Sequence, residues 1–277
     1  MIQFIPESYG REAFDAFARS LLCADWESPD GPLRLNAELE SADLAEAEFF
    51  LNARLFLIAL AEEDGAPATA TGNLNRGFVG RMFDRLKLPQ VNRDSISRFC
   101  KVVNERDVWP LHLARVVSQG AKLVARRKKR FHLTQAGRAL LPDDKAGALY
   151  RALFLAYFQR FDLRYDFVFR DVPGIQATLP VIFWRLDIVA RDWTPVRGLA
   201  PDILLPGVLN QMHQVMTYEH DTEEWILAGY ILNPLFDFGL IETKKRDEWS
   251  SVTGKDDIRL TPLWRKFITF AWDRDAC

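Results

Sequence analysis

Residues 120–141 read GAKLVARRKKRFHLTQAGRALL, and this stretch decides how the fold is read. Lys122–Arg126 and Arg130–Thr134 alternate or run apolar in the manner of short strands, and the polar RRKK between them reads as a hairpin turn. Thr134 stands where a hydroxyl can cap the helix opened by QAGRALL.

Working outward toward the N-terminus, a helix is expected over about Glu105–Gln119, with Pro110 tolerated in its first turns. Arg76–Leu86 (RGFVGRMFDRL) reads as a basic amphipathic helix ended by Pro89 and Asn92. The connector ATATGNLNR precedes it, with Asn73 and Asn75 in turn and capping positions. Asp43–Glu63 is the clearest helix of this half. Ala47, Phe50, Leu51, Leu55, Ile58 and Ala61 trace a helical stripe that Asp64-Gly65 stops. Residues 1–40 read as an accessory segment, with a helix over Arg11–Leu22 broken by SPDGP.

Three helices followed by a two-stranded hairpin is the order of a winged-helix domain. The string resembles the corresponding part of MarR- and PadR-like regulators, through Gly120, Leu123, Val124, Leu133, Thr134, Gly137, Leu140 and Leu141. It departs from them by an extra Ala121-Lys122 between the glycine and the Leu-Val pair. The chain also resembles uncharacterised bacterial proteins in which a TATGNLNR-like stretch precedes such a wing, and that likeness implies no activity.

The signature recurs. Gly239-Leu240-Ile241 repeats the helix end and first strand, and Leu260-Thr261 followed by PLWRKFI repeats Leu133-Thr134 followed by QAGRALL. Twenty positions separate Leu240 from Leu260, against 10 from Leu123 to Leu133, so the second hairpin is longer. The expected fold is therefore mainly α with small β-hairpin wings, an α+β chain of tandem winged-helix modules. Residues 41–142 form the first module and 201–277 the second, whose helices lie around Leu209–Met216 and Thr222–Phe236. A helical connector, 143–200, joins them. Its helices, Ala148–Phe161 and Ile175–Val189, carry Tyr150, Phe154, Tyr157, Phe158, Phe161, Phe183 and Trp184. Such a stripe is either core or an interface for a protein partner or homodimer.

Composition narrows the function. An apolar content of 48% argues against overall disorder. Cys23, Cys100 and Cys277 form no metal or disulfide pattern. No apolar run reaches the roughly 18 residues of a membrane span, and the N-terminus lacks the order of a secretory signal. A cytoplasmic protein is expected. The net charge of −2 conceals an uneven distribution. Residues 65–142 carry 16 bases against four acids, while residues 1–64 and 143–277 sum to −10 and −4. A basic island suggests a site for a polyanion or an acidic partner; packing of the acidic N-terminal segment against it is the other reading.

Within the island, Lys122, Arg126, Arg127, Lys128, Lys129 and Arg130 place six bases in nine residues around the hairpin tip, which suits phosphate contacts. The third helix would read a groove with a set drawn from Glu105, Arg106, Asp107, His112, Arg115, Ser118 and Gln119, above all Arg115, Ser118 and Gln119. Secondary basic residues are Arg76, Arg81 and Arg85, and, on the second module, Lys244, Lys245 and Arg246. No catalytic motif is present, and His213 and His220 lack a third matched ligand for metal. No enzyme activity, cofactor or metal is expected. The leading expectation is a DNA-binding protein, a regulator or an accessory factor of a mobile-element or defence system. The alternative is a winged-helix scaffold of the kind found in chromosome-condensation complexes.

Overall fold

The computed structural model describes residues 11–166, 171–218, 221–244 and 251–272. Among these, residues 37–161 form one compact unit, and the stretches on either side, 11–36 and those from 162 onward, form another. These limits differ from the expected divisions at 40, 142 and 200.

The chain opens with helix α1 (Arg11–Leu22) and strand β1 (Leu33–Leu35). Neither is an appendage. Phe14 and Phe17 of α1 lie 4.4 and 5.1 Å from the ring of Trp184. Strand β1, with Leu33 and Leu35 buried, pairs antiparallel with residues 268–270, so that Leu33 faces Phe270. The accessory segment belongs to the unit that contains the C-terminal half.

Residues 37–161 contain α2 (Glu48–Glu62), β2 (Ala66–Pro67), α3 (Arg76–Arg85), α4 (Gln90–Phe99), α5 (Trp109–Gly120), β3 (Val124–Arg127), β4 (Arg130–Leu133), α6 (Gln135–Ala139) and α7 (Ala146–Leu155). Helix α7 runs on into a π-helical turn, Ala156–Arg160. Helix α2 is the spine. Phe49, Phe50, Ala53, Phe56, Leu57 and Leu60 are buried along it, and it packs on α5 and β4. Its last turn carries Glu62 and Glu63, unfavourable at a helix C-terminus. Arg85 and Arg81 of α3 answer them at 2.8 and 2.5 Å. Helix α4 was not expected. None of its residues is buried, so the apolar periodicity that betrays a helix is missing. Arg93 docks it by donating to the carbonyl oxygens of Phe83 (2.5 Å) and Leu86 at the end of α3.

The other unit continues with α8 (Pro173–Ala177), α9 (Leu179–Val189), β5 (Thr194–Pro195), α10 (Ala200–Ile203), α11 (Pro206–Val215) and α12 (Glu223–Leu227). After a π-helical turn, Ala228–Leu232, come α13 (Asn233–Asp237), β6 (Ile241–Thr243), β7 (Asp257–Leu260), α14 (Pro262–Phe267) and β8 (Ile268–Phe270).

The three-stranded sheet of one unit has a counterpart of the same strand order in the other, and that counterpart begins before residue 201. The sheets are ordered β2-β4-β3 and β5-β7-β6, the strand after α2 and the strand after α9 each pairing with the second strand of the hairpin that follows. The counterpart of α2 is therefore α9, within the expected connector. The hairpin entries repeat atom for atom. Leu123 N–H donates to Ser118 O and Leu240 N–H to Leu235 O, both at 2.9 Å, while the Thr134 and Thr261 amides donate to Leu123 O and Leu240 O. Thr134 and Thr261 cap α6 and α14 through their hydroxyls.

The connector's aromatic helices are core. Tyr150, Phe154 and Phe158 are buried in the 37–161 unit, and Phe183 and Trp184 in the other. These five rings are packed within the chain, while Phe161 is half-buried. The chain is mainly helical with small antiparallel sheets, and among the described residues no helix is long and apolar enough to cross a membrane.

Candidate nucleic-acid interface

The hairpin β3–β4 closes with a two-residue turn, Lys128-Lys129, flanked by the pair Arg127 and Arg130. Both lysines have positive φ, 46° and 60°. That combination is the type I′ geometry, which matches strand twist but favours Asn-Gly, because a Cβ in the left-handed region costs about 1 kcal/mol or more per residue. Two lysines there sacrifice local stability for charge at the tip. Lys122 adopts the same conformation, with φ 60°, at the end of α5. It occupies the place that Gly239 (φ 71°) fills in the repeat. This explains the extra Ala121-Lys122: Gly120 is the last residue of the helix, and Lys122 is the true counterpart of the glycine. Lys122→Gly is accordingly expected to stabilise the protein by about 0.5–1 kcal/mol, relief of the left-handed side chain outweighing the added chain entropy; urea unfolding measures it.

Gly137 is required for a different reason. A Cβ there would lie 2.3 Å from Leu123 O, so α6 packs directly on the hairpin's entry. In the repeat this position is Trp264, whose Nε1–H instead donates to Asp187 Oδ1 at 3.1 Å.

The six hairpin bases divide into two groups. Lys122, Arg126, Arg127, Lys128 and Lys129 are exposed and form no ion pair among the described residues. Arg130 is half-buried and donates to Gly65 O at 2.8 Å, which ties β4 to the end of α2. Arg130 is a structural residue.

Of the expected groove-reading set, Glu105, His112, Arg115 and Ser118 are buried, Asp107 and Gln119 are half-buried and Arg106 is exposed. Arg115 and Ser118 are 8% and 0% exposed. Arg115 donates through Nε to Glu105 Oε1 (2.6 Å) and through Nη1 to Gln119 Oε1 (2.5 Å), and its guanidinium lies 5.2 Å from the centre of the Phe131 ring. Leu111, Leu113, Ala114 and Val117 fill the remaining sides. The helix is enclosed by α2, by α3, by the hairpin's first strand and by Ala156–Arg160. The sequence pattern exposed Arg115, Ser118 and Gln119 because it placed the Ala156–Arg160 turn elsewhere.

Glu105 is the centre of this buried cluster, at 1% exposure. Its Oε1 meets His112 Nδ1 at 2.6 Å, and its Oε2 accepts the Leu74 amide. Burial pushes the carboxyl up, but the bonds from His112 and the Leu74 amide, with Arg115 beside it, outweigh that and hold it below its ordinary 4.5. The carboxylate is ionised and accepts only, so the shared His112 nitrogen carries the proton.

Arg81 and Arg85 are spent on Glu63 and Glu62. Arg76 is exposed, with Nε held by Asn104 Oδ1 at 3.0 Å. In the second hairpin, Lys244 faces Asp257 at 3.4 Å and Arg259 pairs with Glu242 at 2.7 Å; Lys245 and Arg246 lie outside the described residues, as does His220. His213 meets Glu223 at 2.5 Å. No cluster of three metal-ligating side chains occurs among the described residues.

The sequence reading gave Asn73 and Asn75 turn and capping roles and Arg76 a secondary basic one; residues of the segment Thr69–Gly77, with Asn104–Asp107, line an open cleft of about 700 Å³. Asn75 caps α3 by accepting the Phe78 amide at 2.9 Å. Thr69 ties the turn through Oγ1, accepting the Asn73 amide at 3.0 Å.

Residues 45–148 match the family described as the Y4jL N-terminal domain. No curated protein and no solved structure matches the chain.

Proposed function

We propose that the chain is a cytoplasmic tandem winged-helix protein whose first hairpin binds the phosphate backbone of DNA, and that it acts by binding and not by catalysis. The observation that carries this reading is the hairpin tip. Arg126 and Arg127 at the end of β3 and Lys128 and Lys129 in the turn are exposed and outside any ion pair among the described residues, and the turn's geometry disfavours the two lysines. Neutralising phosphates releases counterions, so such a tip contributes affinity without reading sequence. The enclosure of α5 removes the usual reading head and favours an accessory or architectural role over a sequence-specific regulator. Fluorescence-anisotropy titration of random duplex DNA across a salt series tests it. Affinity should fall steeply with salt; absence of binding at low salt overturns it.

The charge-balanced second hairpin supports a second reading, a scaffold that binds protein, because Lys244 and Arg259 already have carboxylate partners. On that reading association would respond little to salt.

The turn allows stability and affinity to be separated. Changing Lys128 to Asn and Lys129 to Gly should raise the unfolding temperature by a few degrees while weakening duplex binding. A variant with lower stability as well as weaker binding would show that the lysines serve the fold.

A further inference from the structure

The buried face of α5 leaves open where a base could be recognised, and the cleft beside the hairpin offers a place. We infer that the Thr69–Gly77/Asn104–Asp107 cleft binds a single unpaired nucleotide, with adenine favoured. Several observations converge on it.

The cleft adjoins the hairpin: the Ala68 amide donates to Lys129 O at 2.8 Å, so the segment lining it leaves directly from the tip. Its volume, about 700 Å³, lies within the range of small-ligand sites. Its wall carries Asn73, half-buried, whose backbone N–H and C=O are both engaged by Thr69. The Asn73 carboxamide itself makes no hydrogen bond among the described residues. A fixed backbone with a free carboxamide is a preorganised donor–acceptor pair, and Asn matches the N6/N7 edge of adenine. Arg76 and Arg106 line the same space, together with Glu105 and Asp107. Arg76 is held at Nε by Asn104. Arg126 lies over Gly72, where a Cβ would come within 2.9 Å of Nη1. A nucleotide with its base on Asn73 would set its phosphate toward the Arg76 guanidinium.

The inference extends the wing reading, since a strand crossing the tip would deliver its unpaired end to the cleft, but it fails separately. Isothermal titration of AMP into the full chain tests the cleft alone. AMP should bind more tightly than inorganic phosphate or UMP. Asn73→Ala and Asn73→Asp should each weaken AMP about tenfold, as removing one base-edge hydrogen-bonding group does. Thermal melting of both Asn73 variants confirms that the turn is intact. Equal affinity for phosphate and AMP, no AMP binding, or full binding by Asn73→Asp overturns the proposal. The source is decided by anisotropy with a blunt duplex and the same duplex bearing an adenine-rich overhang. Tighter binding of the overhang, abolished in Asn73→Ala, assigns the site to nucleic acid; AMP binding without an overhang effect assigns it to a free nucleotide.

Discussion

Replacing Glu105 with Ala is expected to destabilise the 37–161 unit by about 3–5 kcal/mol, the largest single effect in this protein. The carboxylate is the common acceptor for His112, Arg115 and the Leu74 amide. Its removal leaves the Arg115 charge 8% exposed with Gln119 as its remaining side-chain acceptor, and leaves a buried amide unpaired. Urea unfolding followed by circular dichroism would show a transition moved to much lower denaturant. A loss below about 1 kcal/mol would mean that the cluster behaves as a surface ion pair. The pH dependence has a definite sign. The folded pKa is lowered from 4.5, so the stabilisation is fully present above that pH and is lost as pH falls through the folded value. Urea midpoints should therefore decline more steeply for wild type than for Glu105→Gln across this acidic window.

Changing Arg126, Arg127, Lys128 and Lys129 together to Ala is expected to weaken duplex binding by about a hundredfold or more at low salt. The slope of log affinity against log salt should fall by about 3–4, near 0.9 for each phosphate that is no longer neutralised. Arg130 is left in place because its bond to Gly65 O would confound folding with binding. The fold should survive: all four side chains are exposed, and Ala does not restore a glycine-like turn, so a small loss of stability is acceptable. Anisotropy at several salt concentrations separates the outcomes. An unchanged slope would place the phosphate-binding residues elsewhere, and the charged tip would then serve solubility.

What the sequence determined by itself is local. The hairpin followed from alternation around RRKK, the cap from Thr134, the stop of α2 from Asp64-Gly65, and the recurrence from Leu-Thr pairs at 133–134 and 260–261. Each depends on neighbours a few positions away, where periodicity and turn chemistry act. Helix α4 escaped because it buries nothing and is held by one arginine reaching back to α3.

Tertiary structure decided which faces are covered. Arg115 and Arg127 are alike in sequence, one base among apolar or basic neighbours. Only the packing of α2, β3 and the 156–160 turn around α5 sends the first inward to Glu105 and leaves the second in solvent. The same holds for α1 and β1, whose partners lie more than 150 residues away at Trp184 and Phe270. It holds also for α9, whose counterpart α2 was revealed by strand order and not by composition. Helical spacing states that a face is apolar; it carries no information about what covers it, because burial is a property of the assembled layers. The cleft at Thr69–Gly77 arises in the same way, from two segments some 30 residues apart joined through Leu74 and Glu105.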